Sequence, residues 1–235
     1  MRSFKQFLKE DNTVSFLTDR DEIRQLLQKS FGGLEGDDYL IDENGGVELL
    51  KPTFQIDSLN EHNLIQNGLL KIKFTKAINF FINSHSLEYL YGCPDECEQF
   101  SIASNSVKTL KGGPKKVKHV YKVISFSRRS PLTSYEGIAE ECITYRLFVT
   151  NIKSLHNIHK HIKKIDNLCE ISNQVKRNLL GFLKIKGPFS LICGVYDGDP
   201  LWKAVKIVDK HLGHRDLLAC QEELIENGLE EYAQL

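Results

Sequence analysis

The sequence predicts an α+β protein: an irregular β solenoid with an N-terminal helical arm and a C-terminal helical cap. Three observations carry this expectation. A short unit recurs through the middle of the chain, the hydrophobic period between its copies is strand-like, and helical periods with capping residues return at both ends. The expected organisation is an arm over residues 1–36, an opening hairpin and repeat array over 37–170, and a cap over 171–235.

The repeat comes first because it fixes the rest. Leu87-Glu88-Tyr89-Leu90-Tyr91-Gly92-Cys93-Pro94 returns as Val107-Lys108-Thr109-Leu110-Lys111-Gly112-Gly113-Pro114. A third copy, Leu132-Thr133-Ser134-Tyr135-Glu136-Gly137-Ile138-Ala139, loses the proline. A fourth, Ile152-Lys153-Ser154-Leu155-His156-Asn157-Ile158-His159, keeps the apolar positions and loses the glycine. The apolar runs Phe80-Phe81-Ile82, Phe100-Ser101-Ile102 and Tyr145-Arg146-Leu147 lie between the copies. One unit is therefore a strand followed by a turn, and no unit buries its apolar face alone, so the units must stack. The glycine-proline corner reverses the chain and stops the strand. The extra residues around Ser125-Phe126-Ser127-Arg128-Arg129-Ser130 are expected to bulge as a loop.

The flanks read as follows. Phe4, Phe7 and Leu8 share one face of a short N-terminal amphipathic segment. A second helix has Thr18 or Asp19 as N-cap, turns Ile23, Leu26 and Leu27 inward, and stops near Ser30 before Phe31-Gly32-Gly33. Tyr39-Leu40-Ile41 and Val47-Glu48-Leu49-Leu50, joined by Asp42-Glu43-Asn44-Gly45-Gly46, read as a hairpin. In the last third, Asp199-Pro200 starts a helix carrying Leu201, Val205, Ile207 and Val208. Another helix runs from Asp216, with Gly228 as an interruption. These helices close the open end of the array, where a bare strand edge would otherwise stand.

Composition narrows the function classes. Hydrophobic residues make up 41% of 235 positions and charged residues 26%, the profile of a globular chain with a substantial core. Thirty-one basic residues balance thirty-one acidic ones, so there is no overall excess of positive charge for nucleic acid. No apolar stretch approaches the roughly 18 to 20 residues a membrane-spanning helix needs. The six cysteines sit mostly within apolar segments, which reads as a reduced thiol set and not a disulfide framework.

The array resembles the leucine-rich-repeat-like proteins of large tailed bacteriophages, in which units similar to Leu-Thr-Ser-Leu-Glu-Gly-x-Pro recur about every twenty residues. Leu132-Thr133-Ser134-Tyr135-Glu136-Gly137 is nearly that unit. The hairpin from Tyr39 to Val47 and the tail from Asp216 to Ile225 belong to the same likeness, which covers residues 39–235. The chain departs from the pattern at the lost prolines and at the insertion near 125–130. The resemblance implies an irregular leucine-rich-repeat-like solenoid and implies no activity. The first ten residues resemble the capsid-targeting leader of phage internal head proteins. Leu8-Lys9-Glu10 matches the Leu-x-Glu site at which such leaders are cut, making Leu8 and Glu10 processing residues. This second likeness implies a phage accessory protein found in the host cytoplasm or the head interior, acting against a host defence.

Candidate chemistry is sparse. His156, His159 and His161, with His211 and His214, have metal-ligand spacing, but Lys160, Lys163 and Lys164 beside the first group oppose a cation. Cys93 and Cys97 lack a second pair at zinc spacing, and Asp197-Gly198-Asp199 reads as a turn and not a calcium loop. No linear catalytic or phosphate-binding motif occurs, so no catalytic residue, metal or cofactor is expected. A hydrolase without a linear motif stays as a third reading. The leading one is a binding protein with a protein partner and no membrane partner. The second is a nucleic-acid-binding factor using Lys108, Lys111, Lys115, Lys116, Lys118, Tyr121, Lys122, Arg128 and Arg129, where lysines would meet phosphates and an aromatic ring would stack.

Overall fold

The alternation of apolar and polar residues becomes a stack of strands. A computed structural model of the chain describes residues 14–124, 130–149, 151–152, 155, 157–175, 177–195 and 197–234. In chain order its elements are α1 (Arg20–Ser30), β1 (Tyr39–Ile41), β2 (Val47–Leu49), β3 (Thr53–Ile56), α2 (Glu61–Leu64), β4 (Ile65–Gln66), β5 (Leu69–Leu70) and β6 (Phe74–Ile82). They continue with β7 (Glu96–Ala103), β8 (Lys116–Ile124), β9 (Glu141–Phe148), α3 (Ile158–His161), β10 (Lys164–Ile171), β11 (Ser190–Cys193), α4 (Pro200–His211) and α5 (Leu217–Glu226). Among the described residues, one nine-stranded sheet runs β1-β2-β6-β7-β8-β9-β10-β11, with β3 also on β6. From β6 onward neighbouring strands are parallel, as a β solenoid requires.

Stacking equal units puts equal residues in rows. Phe54, Phe80, Phe100, Tyr121 and Tyr145 occupy one register line, continued by Cys169 and Leu191. Their rings follow one another at centroid distances of 5.5, 6.2, 5.3 and 6.0 Å, in the range where aromatic pairs attract. Two residues on, Ile56, Ile82, Ile102, Val123, Leu147 and Ile171 form an aliphatic row. Both rows are buried, and each such side chain contributes about 1.5–3 kcal/mol on leaving water.

The corners stack as well. Gly112 and Gly137 have φ of +82° and +91°, and a Cβ at either would lie 2.6 and 2.3 Å from the backbone nitrogens of Tyr91 and Lys111. The glycine is therefore demanded twice, by conformation and by contact with the preceding turn. In the fourth unit Asn157 holds this position with φ of +59°, Asn being a residue that tolerates left-handed backbone. Buried serines open the turns: the hydroxyls of Ser84, Ser104 and Ser172 accept the N–H groups of Ser86, Ser106 and Gln174.

The ends follow from capping chemistry. The Asp19 carboxylate accepts from the N–H groups of Asp21 and Glu22, and α1 buries Ile23 and Leu27. The hairpin β1–β2 pairs Tyr39 with Leu49 and turns at Gly45. At the other end, Asp199 caps α4 with Pro200 in the first turn, and Asp216 caps α5. Two expectations for this end are corrected. The segment from 171 onward, expected to be all helical cap, first adds the rung β11, because Leu191 continues the inner row against Cys169. The last helix stops at Glu226; Gly228, with φ of +69°, terminates it, and Leu218 and Ile225 face outward. The expected loop at 125–129 and the amphipathic segment over the first ten residues lie outside the described residues.

Candidate protein-binding face

In every rung, one side of the strand faces the core and the other faces away. The outward side is where partner-reading residues can stand, because no helix makes an extended contact with β6–β10 among the described residues. At its leading edge the charges alternate from strand to strand. Glu48 is opposite Lys76, Lys76 opposite Glu96, and Glu96 opposite Lys116; Glu141 opposite Lys164 repeats the alternation further on. Lys76 reaches Glu48 at 3.0 Å and Lys116 reaches Glu96 at 2.5 Å. These contacts raise the Lys76 and Lys116 ammonium pKa values and hold the Glu96 carboxyl below its usual value.

Behind this edge the outward side mixes apolar residues with polar and charged ones, among them Thr144, Lys122, Arg146 and Glu170. Ile78, Phe81, Val120, Ile124, Ile143, Phe148 and Leu168 are each half-buried there, between Asn79, Gln99 and Ser101. Ile192 on the last rung is exposed. A depression of about 290 Å³ is lined by Leu50, Ala77 and Ile78 together with Glu48, Glu98 and Lys118. A wider groove of about 1060 Å³ follows the glycine corners, where Lys73 and Lys115 share the Asp95 carboxylate at 3.1 and 3.7 Å.

The residues expected to form a basic nucleic-acid surface are placed differently. Lys108 pairs with Glu88, Lys111 with Glu136 at 2.7 Å, Lys115 with Asp95, Lys116 with Glu96, and Lys118 with Glu98 at 3.2 Å. Each partner stands on an adjacent turn, so stacking brings together charges that the linear stretch keeps apart. Tyr121 requires a correction: it is fully buried in the aromatic row and offers no ring for stacking a base. Burial, then the thiols of Cys93, Cys97 and Cys142, push its phenol well above the ordinary range. Lys122 does face outward, on the row of Ser101 and Arg146. Arg128 and Arg129, like Leu8 and Glu10, lie outside the described residues.

The other candidates are accounted for by packing. Cys93, Cys97, Cys142, Cys169 and Cys220 are buried free thiols, and Cys193 is half-buried. Burial pushes the Cys97 and Cys220 thiols up to about 12 and Cys142 to about 11, which leaves them unreactive. His211 meets Glu223 at 2.7 Å and ties α4 to α5, whereas His214 is exposed. His159 and His161 lie on α3, and His156 is outside the described residues. Among the described residues, no group of three His, Cys, Asp or Glu could hold a metal ion, and no helix is long and apolar enough to cross a membrane. Asp197 and Gly198 form the turn into α4.

The outward apolar residues were not singled out in the sequence. Phe80-Phe81-Ile82 shows as an apolar run, but which of its members faces out depends on register, which only the stacked partners fix. Comparison of the chain with protein-family models, with curated proteins and with solved structures returned no match in any of the three.

Proposed function

We propose that the chain is a non-enzymatic binding protein whose partner is another protein, docked on the outward side of the solenoid sheet. The observation that carries this is the row set Ile78, Phe81, Val120, Ile143, Phe148 and Leu168, which no helix covers among the described residues. A strand face that met only water would carry polar residues at these positions, and apolar side chains interleaved with charged ones on an uncovered face fit the mixed composition of a protein interface. The paired lysines weigh against the nucleic-acid reading, since phosphate binding needs cations free to replace counterions. A phage setting, head packaging and action against a host defence belong to this proposal on the N-terminal resemblance alone. A peptide beginning at Asp11, found by mass spectrometry of virions, would support the packaging; an intact Met1 terminus without the cut form would remove it.

The interface is tested by a photo-crosslinking amino acid placed at Ser101, in the centre of the face, or at exposed Lys203 on α4, in cells where the protein is naturally made. A discrete protein adduct from position 101 and none from 203 is expected. Absence of any adduct at 101 would overturn the reading, and a nucleic-acid adduct there would favour the alternative.

A further inference from the structure

The outward side of the sheet breaks its own charge rule at one place. Along the leading edge every lysine is opposite a carboxylate. Lys122 on β8, however, is in register with Arg146 on β9, cation beside cation on strands about 4.8 Å apart. Like charges directly opposite one another on neighbouring strands repel. The remaining in-register lysine pair, Lys164 and Lys186, is relieved by Asp166, 3.0 Å from Lys164. No such relief is present for Lys122, which has no carboxylate partner among the described residues. Arg146 is only loosely held: Glu170 Oε2 lies 3.7 Å from its Nε, outside hydrogen-bond range, and that Nε has no acceptor. Glu170 thus offsets Arg146 only, Lys122 has no carboxylate among the described residues, and the Arg146 side chain is 43% exposed.

What surrounds the pair gives the shape of its ligand. On β8 the residues two before and two after Lys122 are Val120 and Ile124; on β9 those around Arg146 are Thr144 and Phe148. All point to the same side, because strand side chains alternate with a period of two. Going along β8 the face therefore reads apolar, cationic, apolar, and along β9 it reads Thr144, cation, apolar, with steps of about 7 Å.

We infer that this point of the face receives an acidic segment of the protein partner in extended form, its pattern being apolar-x-Asp/Glu-x-apolar. The carboxylate lies between Lys122 and Arg146, where it offsets their repulsion and meets the exposed part of the Arg146 side chain, its Nε being buried. The apolar residues two positions to either side pack on Val120 and on Ile124 with Phe148. An extended chain places its alternate side chains at the same step as the rows beneath it, so all three contacts form at once. The inference rests on the protein-binding reading above and names the chemistry of its partner.

The test is selection from a random dodecapeptide library on the full chain, followed by fluorescence anisotropy of enriched peptides against variants. Enriched sequences should share the apolar-x-acidic-x-apolar pattern. Their binding should weaken about ten-fold or more in Lys122→Glu and Arg146→Gln, and be unchanged in Lys203→Glu on α4. Lys122→Met, which removes the charge and keeps the stem, should also weaken binding, and it stands in if Lys122→Glu does not fold. Enriched peptides without a shared acid, or indifferent to Lys122 and Arg146, would overturn the inference and leave the protein-binding face standing. No enrichment at all would overturn both. Displacement of the peptides by a single-stranded oligonucleotide that itself requires Lys122 would overturn it in favour of nucleic acid.

Discussion

The hydroxyl of Tyr121 stands against the bare α-carbon of Gly113: a Cβ at that glycine would already touch it at 3.4 Å. The corner position taken by Gly113 is Cys93 in the unit before and Ile138 in the unit after. Phe100, one rung before Tyr121, has no hydroxyl, and Tyr145, one rung after, donates its own to the carbonyl of Ala139. Tyr121 and Gly113 are thus fitted to each other, and the Tyr121 oxygen is left buried without a partner.

This contrast gives the first prediction. Tyr121→Phe removes an unsatisfied buried hydroxyl and should leave stability unchanged or raise it, by up to about 1–3 kcal/mol. Tyr145→Phe breaks a buried hydrogen bond and should lower stability by about 0.5–1.5 kcal/mol. Urea unfolding of both variants at constant m reads the difference. A larger loss for Tyr121→Phe than for Tyr145→Phe would contradict this account of the row.

The corner glycines carry the second. Gly137→Ala puts a Cβ 2.3 Å from the Lys111 nitrogen at a φ of +91° and should destabilise by more than about 2 kcal/mol. Asn157→Gly, at φ of +59° in the equivalent place of the next unit, should change stability by less than about 1 kcal/mol. Thermal melts of the two variants would show the asymmetry; equal effects would mean that the two corners are not equivalent.

At the open end of the sheet, Asp209 on α4 accepts the N–H of Leu191 on β11 at 2.6 Å. This carboxylate covers a donor of an edge strand. Asp209→Ala should cost about 1.5–3 kcal/mol, speed hydrogen exchange at Leu191, and promote concentration-dependent self-association through the bared edge. Light scattering and amide exchange check it, and unchanged exchange at Leu191 would show that α4 shields the edge by some other contact.

Glu61 supplies a pH dependence. Partial burial raises its pKa, but hydrogen bonds from the Ser84 hydroxyl and the His85 and Ser86 N–H groups outweigh this and leave it below the usual value. A carboxylate with a depressed folded pKa contributes stability that is full above its unfolded pKa and is lost as pH falls through the folded one. Wild type should therefore exceed Glu61→Gln in stability at pH 7, and the gap should close below about pH 4. A gap that persists to lower pH would show that packing, and not charge, is what Glu61 provides.

Much of the fold is legible in the sequence because local rules and stacking agree. Asp19, Asp199 and Asp216 announce the helix starts, Tyr39 to Leu49 announces the hairpin, and the glycine corners announce the rungs. The rung β11 was less legible although a corner, Gly187-Pro188 with Gly187 at φ of +110°, precedes it, because the strand that follows is only four residues long and puts just Leu191 fully inside. The candidate face was less legible still. The lysines between 108 and 118 look like a basic surface in one dimension, and their cancelling carboxylates come from neighbouring turns.

By itself, then, the sequence determined the repeating strand-and-corner unit, the caps and the absence of a linear catalytic motif, since these depend on residues within one turn of each other. The tertiary structure alone decided which side of each strand faces out. It also decided which charges meet and that Tyr121 belongs to the core while Lys122 does not. The physical reason is register: neighbouring rungs are some twenty or more residues apart in sequence but one strand spacing apart in space, and a shift of one residue would exchange every inward side chain for an outward one.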